Sequence, residues 1–141
     1  MTVLRIDQGM AVAAARALPG NFEVDKELRA RYRQLRAMLR GAGLAATYAY
    51  IVSKAKTGPD ADKLARAYAA AEQAIRKRIF AGGALPGSAR EVLTKLGEMN
   101  AVDYARASAE VSAFAGWLSR LADAAWQEAG GDGAGDGDRD A

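Results

Sequence analysis

The sequence predicts an all-α fold, a compact bundle of about six helices followed by a disordered acidic tail. Three features point that way. The chain is rich in alanine, the strongest helix former. Glycine and proline fall in a few clusters that cut it into pieces of helical length: Pro19-Gly20, Gly41 with Gly43, Gly58-Pro59, and Gly82 to Gly87. Within the pieces, apolar residues recur at three-and-four spacing, and no segment alternates as a strand would.

The first helix is read from 5 to 18, before Pro19-Gly20. The second spans 25 to 40, where Leu28, Tyr32, Leu35 and Leu39 form one apolar stripe. The third, 44 to 56, follows the Gly41 to Gly43 turn. The fourth, 61 to 81, is expected to start at an Asp60 cap and to bury Leu64, Tyr68, Ala71, Ile75 and Ile79. The fifth, 89 to 97, begins at a capping-box pattern of Ser88 with Glu91. The sixth, 101 to 129, enters through Asn100 with Asp103 and presents Tyr104, Val111, Phe114, Leu118, Leu121 and Ala125 on one side. A chain of 141 residues suits one domain burying roughly 68% of its unfolded surface. The domain is read as 1–129, with 130–141 a disordered Gly/Asp tail that has too little apolar surface to recover its ordering entropy. That tail is read as a dispensable end or a weakly autoinhibitory one.

With no cysteine and no histidine, the sequence lacks disulfides, thiolate nucleophiles, imidazole bases and the preferred soft metal ligands. No acidic cluster replaces them, and neither glycine turn matches a phosphate loop. The expectation is a non-enzyme without metal or cofactor. No apolar run of membrane length and no secretory leader pattern is present, so a cytoplasmic protein is expected. The formal charge of +3 hides an asymmetry, because residues 1–129 carry +6 and residues 130–141 carry −3. A basic body favours an acidic partner such as nucleic acid.

The candidate binding element is the second helix. Arg29, Arg33, Arg36 and Arg40 fall within an arc of about 60°, beside the apolar stripe rather than on it. Stacking like charges one turn apart disfavours the helix, and an anionic partner would relieve the repulsion. Guanidinium groups also match phosphate geometry. The same pattern suits a face whose arginines pair with acids of other helices. Lys54 with Lys56, and Arg76-Lys77-Arg78, close helices three and four, where the macrodipole alone favours cations. Tyr48, Tyr50, Trp117 and Trp126 are assigned to packing, and Arg106 with Glu110 is read as a structural pair.

Two blocks resemble the small helical subunit of type III-B CRISPR effector complexes, the RNA-targeting Cmr assembly. Residues Leu28 to Lys54 are similar to that family's basic helix, glycine turn and apolar helix ending in Ser-Lys. Residues Tyr104 to Ala122 are similar to its closing helix, with Tyr, Arg, Glu, Phe, Trp-Leu and Arg in the same order. Together they cover about 46 of the 141 residues. Ala42 stands where the family usually has Asn, and Arg36 where it has Pro. Arg36 is therefore not a family position, whereas Arg33, Arg40 and Lys54 match basic ones. The resemblance implies a non-catalytic subunit that stacks in copies beside paired guide RNA and target RNA, among the other subunits of the complex. Its neighbour would cleave the target. Arg29, Arg33, Arg36, Arg40 and Lys54 are the expected RNA-binding residues. Rival readings are a helical scaffold that binds only protein and a DNA-binding regulator, the latter poorly served by a basic helix that precedes its turn.

Overall fold

A computed structural model of the protein describes residues 2–18 and 24–128. These form six helices and no strand: α1 (Thr2–Ala17), α2 (Lys26–Ala42), α3 (Leu44–Lys54), α4 (Lys63–Ile79), α5 (Ala89–Glu98) and α6 (Ala101–Glu128). The all-α expectation holds, with every helix close to its expected limits. The acidic stretch 130–141 and the Pro19-Gly20 turn lie outside the described residues.

The 28-residue α6 is the spine, about 42 Å long at 1.5 Å per residue. Helices α1, α2 and α4 pack on it, while α3 joins α2, α4 and α5. Phe114, Val111 and Leu118 of α6 and Leu44, Tyr48 and Ile51 of α3 belong to the same buried core. Alanine lets the helices approach closely, as Ala14, Ala71, Ala115 and Ala122 are all buried with almost no exposed surface. The apolar stripe of α2 behaves as its spacing predicts, with Leu28, Tyr32, Leu35 and Leu39 all buried.

Helix starts follow local chemistry. Asp25 accepts a bond from Leu28 N at 2.8 Å and caps α2. Ser88 caps α5 by accepting from Glu91 N at 3.1 Å, while the Glu91 carboxylate reaches Gly87 N at 2.9 Å, one residue further back than the usual box. Asn100 receives Asp103 N at 2.8 Å as expected. One cap differs from the expectation. Asp62, not Asp60, accepts from Ala65 N at 2.7 Å and starts α4. The chain turns first, through Gly58 at φ 99° and an Ala61 N–H to Gly58 C=O bond, so Asp60 lies in the turn and the extended Asp62 inherits the cap.

The α2–α3 corner rests on Gly43, whose φ of 93° lies where a side chain is disfavoured. Gly43 supplies no side-chain cap to α3. The hydroxyl of Tyr104, reaching over from α6, accepts from Ala45 N at 3.0 Å instead. In this way the two blocks singled out in the sequence meet at one hydrogen bond.

Candidate nucleic-acid interface

Because the leucine stripe of α2 faces inward, its arginines are placed along one edge of that helix, beside α6. The two helices run antiparallel: Arg29 meets Asp123 and Trp126 near the end of α6, whereas Arg36 crosses it at Gly116. Antiparallel pairing divides the ridge into two unlike halves.

In the first half, Arg29 Nε donates to Asp123 Oδ1 at 2.7 Å and its guanidinium lies 5.6 Å from the Trp126 ring centroid. Only 15% of its side chain is exposed, so Arg29 is largely a packing residue. Arg33 shares the same carboxylate oxygen at 3.2 Å but keeps 54% of its side chain in solvent. In the second half, Arg36 and Arg40 are exposed and make no ion pair with any described residue. Arg36 extends over Gly116, where a Cβ would come within 3.9 Å of its Nε.

Lys54 is not part of the ridge. It ends α3, ten residues and about 15 Å along that helix from the corner beside Arg40, and its ammonium lies 5.8 Å from the Tyr50 ring. Tyr50 in turn stands edge-on to Tyr68 at 6.0 Å. The aromatic residues assigned to packing keep that role: Tyr48 is fully buried, and Trp117 and Trp126 are half-buried under Arg120 and Arg29.

The basic run closing α4 is not a single patch. Arg76 turns inward, donating to Glu72 at 2.8 Å and to the Pro86 carbonyl at 3.1 Å, while Tyr48 donates to the same Glu72 oxygen at 2.7 Å. Burial alone would lower the Arg76 pKa, but the hydrogen bonds and charge interactions with Glu72 and Tyr48 together outweigh it and the pKa is raised. Burial, reinforced by Glu72, pushes the Tyr48 hydroxyl well above its usual range. Lys77 and Arg78 face outward and, with Arg16 of α1, line a cleft of about 480 Å³ floored by alanines. The expected Arg106–Glu110 pair is replaced: Arg106 reaches back to Asp103 at 3.7 Å.

Asp123 is the functional neighbour that sequence reasoning missed. It lies 94 and 90 positions from its two arginines, beyond any local pattern. Among the described residues no three acidic groups gather as a metal site, and no helix is long and apolar enough to cross a membrane.

What the arrangement offers is an exposed basic edge. Compared with known families, the chain matches the family model described as CRISPR-associated protein (Cas_Cmr5) over residues 8–125, from α1 to the last turn of α6. No curated protein and no solved structure matches it.

Proposed function

The chain belongs to the Cas_Cmr5 family of CRISPR-associated proteins, small subunits of type III-B systems, and from that membership we propose a non-catalytic RNA-channel subunit. It stacks with further copies of itself, among the other subunits of a cytoplasmic effector complex, along the duplex of guide RNA and target RNA. The α2 edge holds backbone phosphates, and base pairing between the two RNA strands supplies the sequence reading. The observation that supports this most is the second half of the ridge, where Arg36 and Arg40 sit one turn apart and exposed, with no carboxylate from the described residues on either. Arg33 adds the part of its charge that Asp123 leaves to solvent. Arg29 acts mainly by holding α2 on α6, and Lys54 contributes from the far end of α3.

The test is binding of the chain to a single strand and to a guide-target duplex across a salt series, for wild type and for Arg36→Ala/Arg40→Ala. Affinity should fall steeply with salt for wild type, and the double variant should flatten the log–log slope by about 2, one unit per lost phosphate contact. A slope unchanged in the double variant would remove phosphate contact from this edge. A chain with no RNA affinity at low salt would favour the protein-only scaffold, in which a partner's acids neutralise the arginines.

A further inference from the structure

We infer that the face of α4 carrying Ala70, Gln73 and Lys77 is a docking groove for an acidic amphipathic helix of a partner protein. This surface is separate from the α2 edge, and the inference stands whether or not that edge holds RNA. Two hollows make up the groove. The first, the cleft of about 480 Å³ between α1 and α4, carries Arg16, Lys77 and Arg78. The second, of about 530 Å³, carries Lys56 and Arg66. Ala70 and Gln73 line both, so the hollows are continuous along α4. From Arg66 to Arg78 the groove extends about 18 Å, the length of a three-turn helix.

The charge of this groove is unanswered within the described fold. Arg16, Lys56, Arg66, Lys77 and Arg78 form no ion pair with any described residue, and Arg66 donates to the Gly58 carbonyl at 3.1 Å. Glu72 lines the second hollow, but its carboxylate is already held by Arg76 and Tyr48. Helix ends account for only part of the excess. Arg16 closes α1 and Lys77 with Arg78 closes α4, so two C-terminal dipoles of about −0.5 charge each face three full positive charges. A surplus of about two charges is left for an outside anion.

The floor selects the kind of anion. Ala13, Ala17, Ala70 and Ala74 give the cleft an apolar base, and Val12, one turn before Arg16, is 49% exposed. A phosphate backbone gains nothing from that base, and among the described residues no aromatic ring lines either hollow for a nucleic-acid base to stack on. A helix gains twice. Small residues let its axis approach to about 8 Å and bury an apolar ridge, while acids flanking the ridge meet the surrounding cations. Exposed pairs are individually weak and screened by salt, so the apolar contact and the charges must act together.

Three synthetic helical peptides of about 18 residues, titrated into the full chain and followed by amide NMR shifts, test the groove. The first carries a leucine and alanine ridge flanked by Glu, the second has every Glu changed to Lys, and the third keeps Glu but replaces the ridge with Gln. The first should shift the amides of residues 12–17 and 66–81 and bind at least about 10 times more tightly than either of the others. Changing Arg16, Lys77 and Arg78 together to Gln should weaken it about 5- to 10-fold, and the unchanged amide spectrum of the rest of that variant would show an intact fold. No shifts in those residues at millimolar peptide would overturn the proposal. So would equal binding by the Gln-ridge peptide, or shifts spread equally over residues 33–40, either of which marks general charge attraction. An RNA duplex that shifts the groove amides and displaces the acidic peptide would also overturn it, by making the groove a nucleic-acid surface.

Discussion

Helices α2 and α4 are both 17 residues long and both carry arginines, yet they use them in opposite ways. In α4 the acid comes from within: Glu72 stands one turn before Arg76 on the buried side, and Tyr48 and the Pro86 carbonyl complete the set. In α2 the positions one turn before Arg33, Arg36 and Arg40 are Arg29, Tyr32 and Arg36, none of which carries a carboxylate. Arg31, with Glu27 four residues before it at 3.5 Å, is paired inside the helix. The ridge therefore depends on acids from elsewhere, and the described part of the fold supplies one, Asp123. An arginine with an acid one turn before it on a buried face becomes part of the core, whereas a ridge without one remains available to an external anion.

The difference is broken most severely at Glu72. Changing Glu72→Ala leaves Arg76 buried without its carboxylate and Tyr48 without its acceptor, and should cost about 3 to 5 kcal/mol in urea unfolding. Arg40→Ala, on the exposed end of α2, should stay within about 0.5 kcal/mol of wild type in the same assay.

Alkaline pH probes the same contrast without mutation. Burial raises the Tyr32 hydroxyl, with Tyr68 adding to the effect, and Tyr48 is raised by burial and Glu72. Tyr68 is pushed up to about 12, chiefly by burial and by Tyr50. In each case the folded pKa exceeds the unfolded value near 10, so the unfolded chain releases its protons first. The stabilisation is complete below about pH 10 and is lost as pH rises, by up to about 1.4 kcal/mol per pH unit for each tyrosine. Urea midpoints should hold to about pH 9.5 and then fall, less steeply in Tyr48→Phe.

Within α2, the two halves of the ridge separate on a smaller scale. Arg29→Ala removes a mostly buried charge pair and the stacking on Trp126, and should lose about 1 to 2 kcal/mol with little change in RNA affinity. Arg40→Ala should show the reverse, and equal stability losses at both positions would erase the division.

How much of this could be read beforehand depends on distance along the chain. The leucine stripe of α2, the Ser88 and Asn100 caps and the positions of the helices follow from contacts within a few residues, and the local pattern specifies them. So does the alignment of Arg29, Arg33, Arg36 and Arg40 on one face. Where two local options compete, the pattern is ambiguous. Asp60 and Asp62 are equally good caps until the Gly58 turn decides between them, and Arg106 has Asp103 and Glu110 one turn away on opposite sides. Pairings across the fold leave no local trace: Tyr104 with Ala45, Tyr48 with Glu72, and Asp123 with Arg29 and Arg33 are fixed by how the helices pack. The face of the candidate site was thus legible, while its division into a tied half and an open half was not.

That division is sharpened by its smallest perturbation. Asp123 is 38% exposed on its side chain and shares one oxygen between two arginines, so Asp123→Asn keeps the shape, keeps an acceptor and removes only the charge. The stability loss should be about 0.5 to 1 kcal/mol, mostly from weakening the Arg29 contact. RNA affinity should move the other way, rising about 2- to 5-fold at low salt as Arg33 is released from its carboxylate and a repelling charge leaves the edge. Few substitutions weaken a fold while tightening a ligand, and a general loss of structure cannot produce that pair of changes. If affinity stays level while stability drops, Arg33 belongs with Arg29 as a helix-packing residue, and the phosphate-binding edge shortens to Arg36 and Arg40.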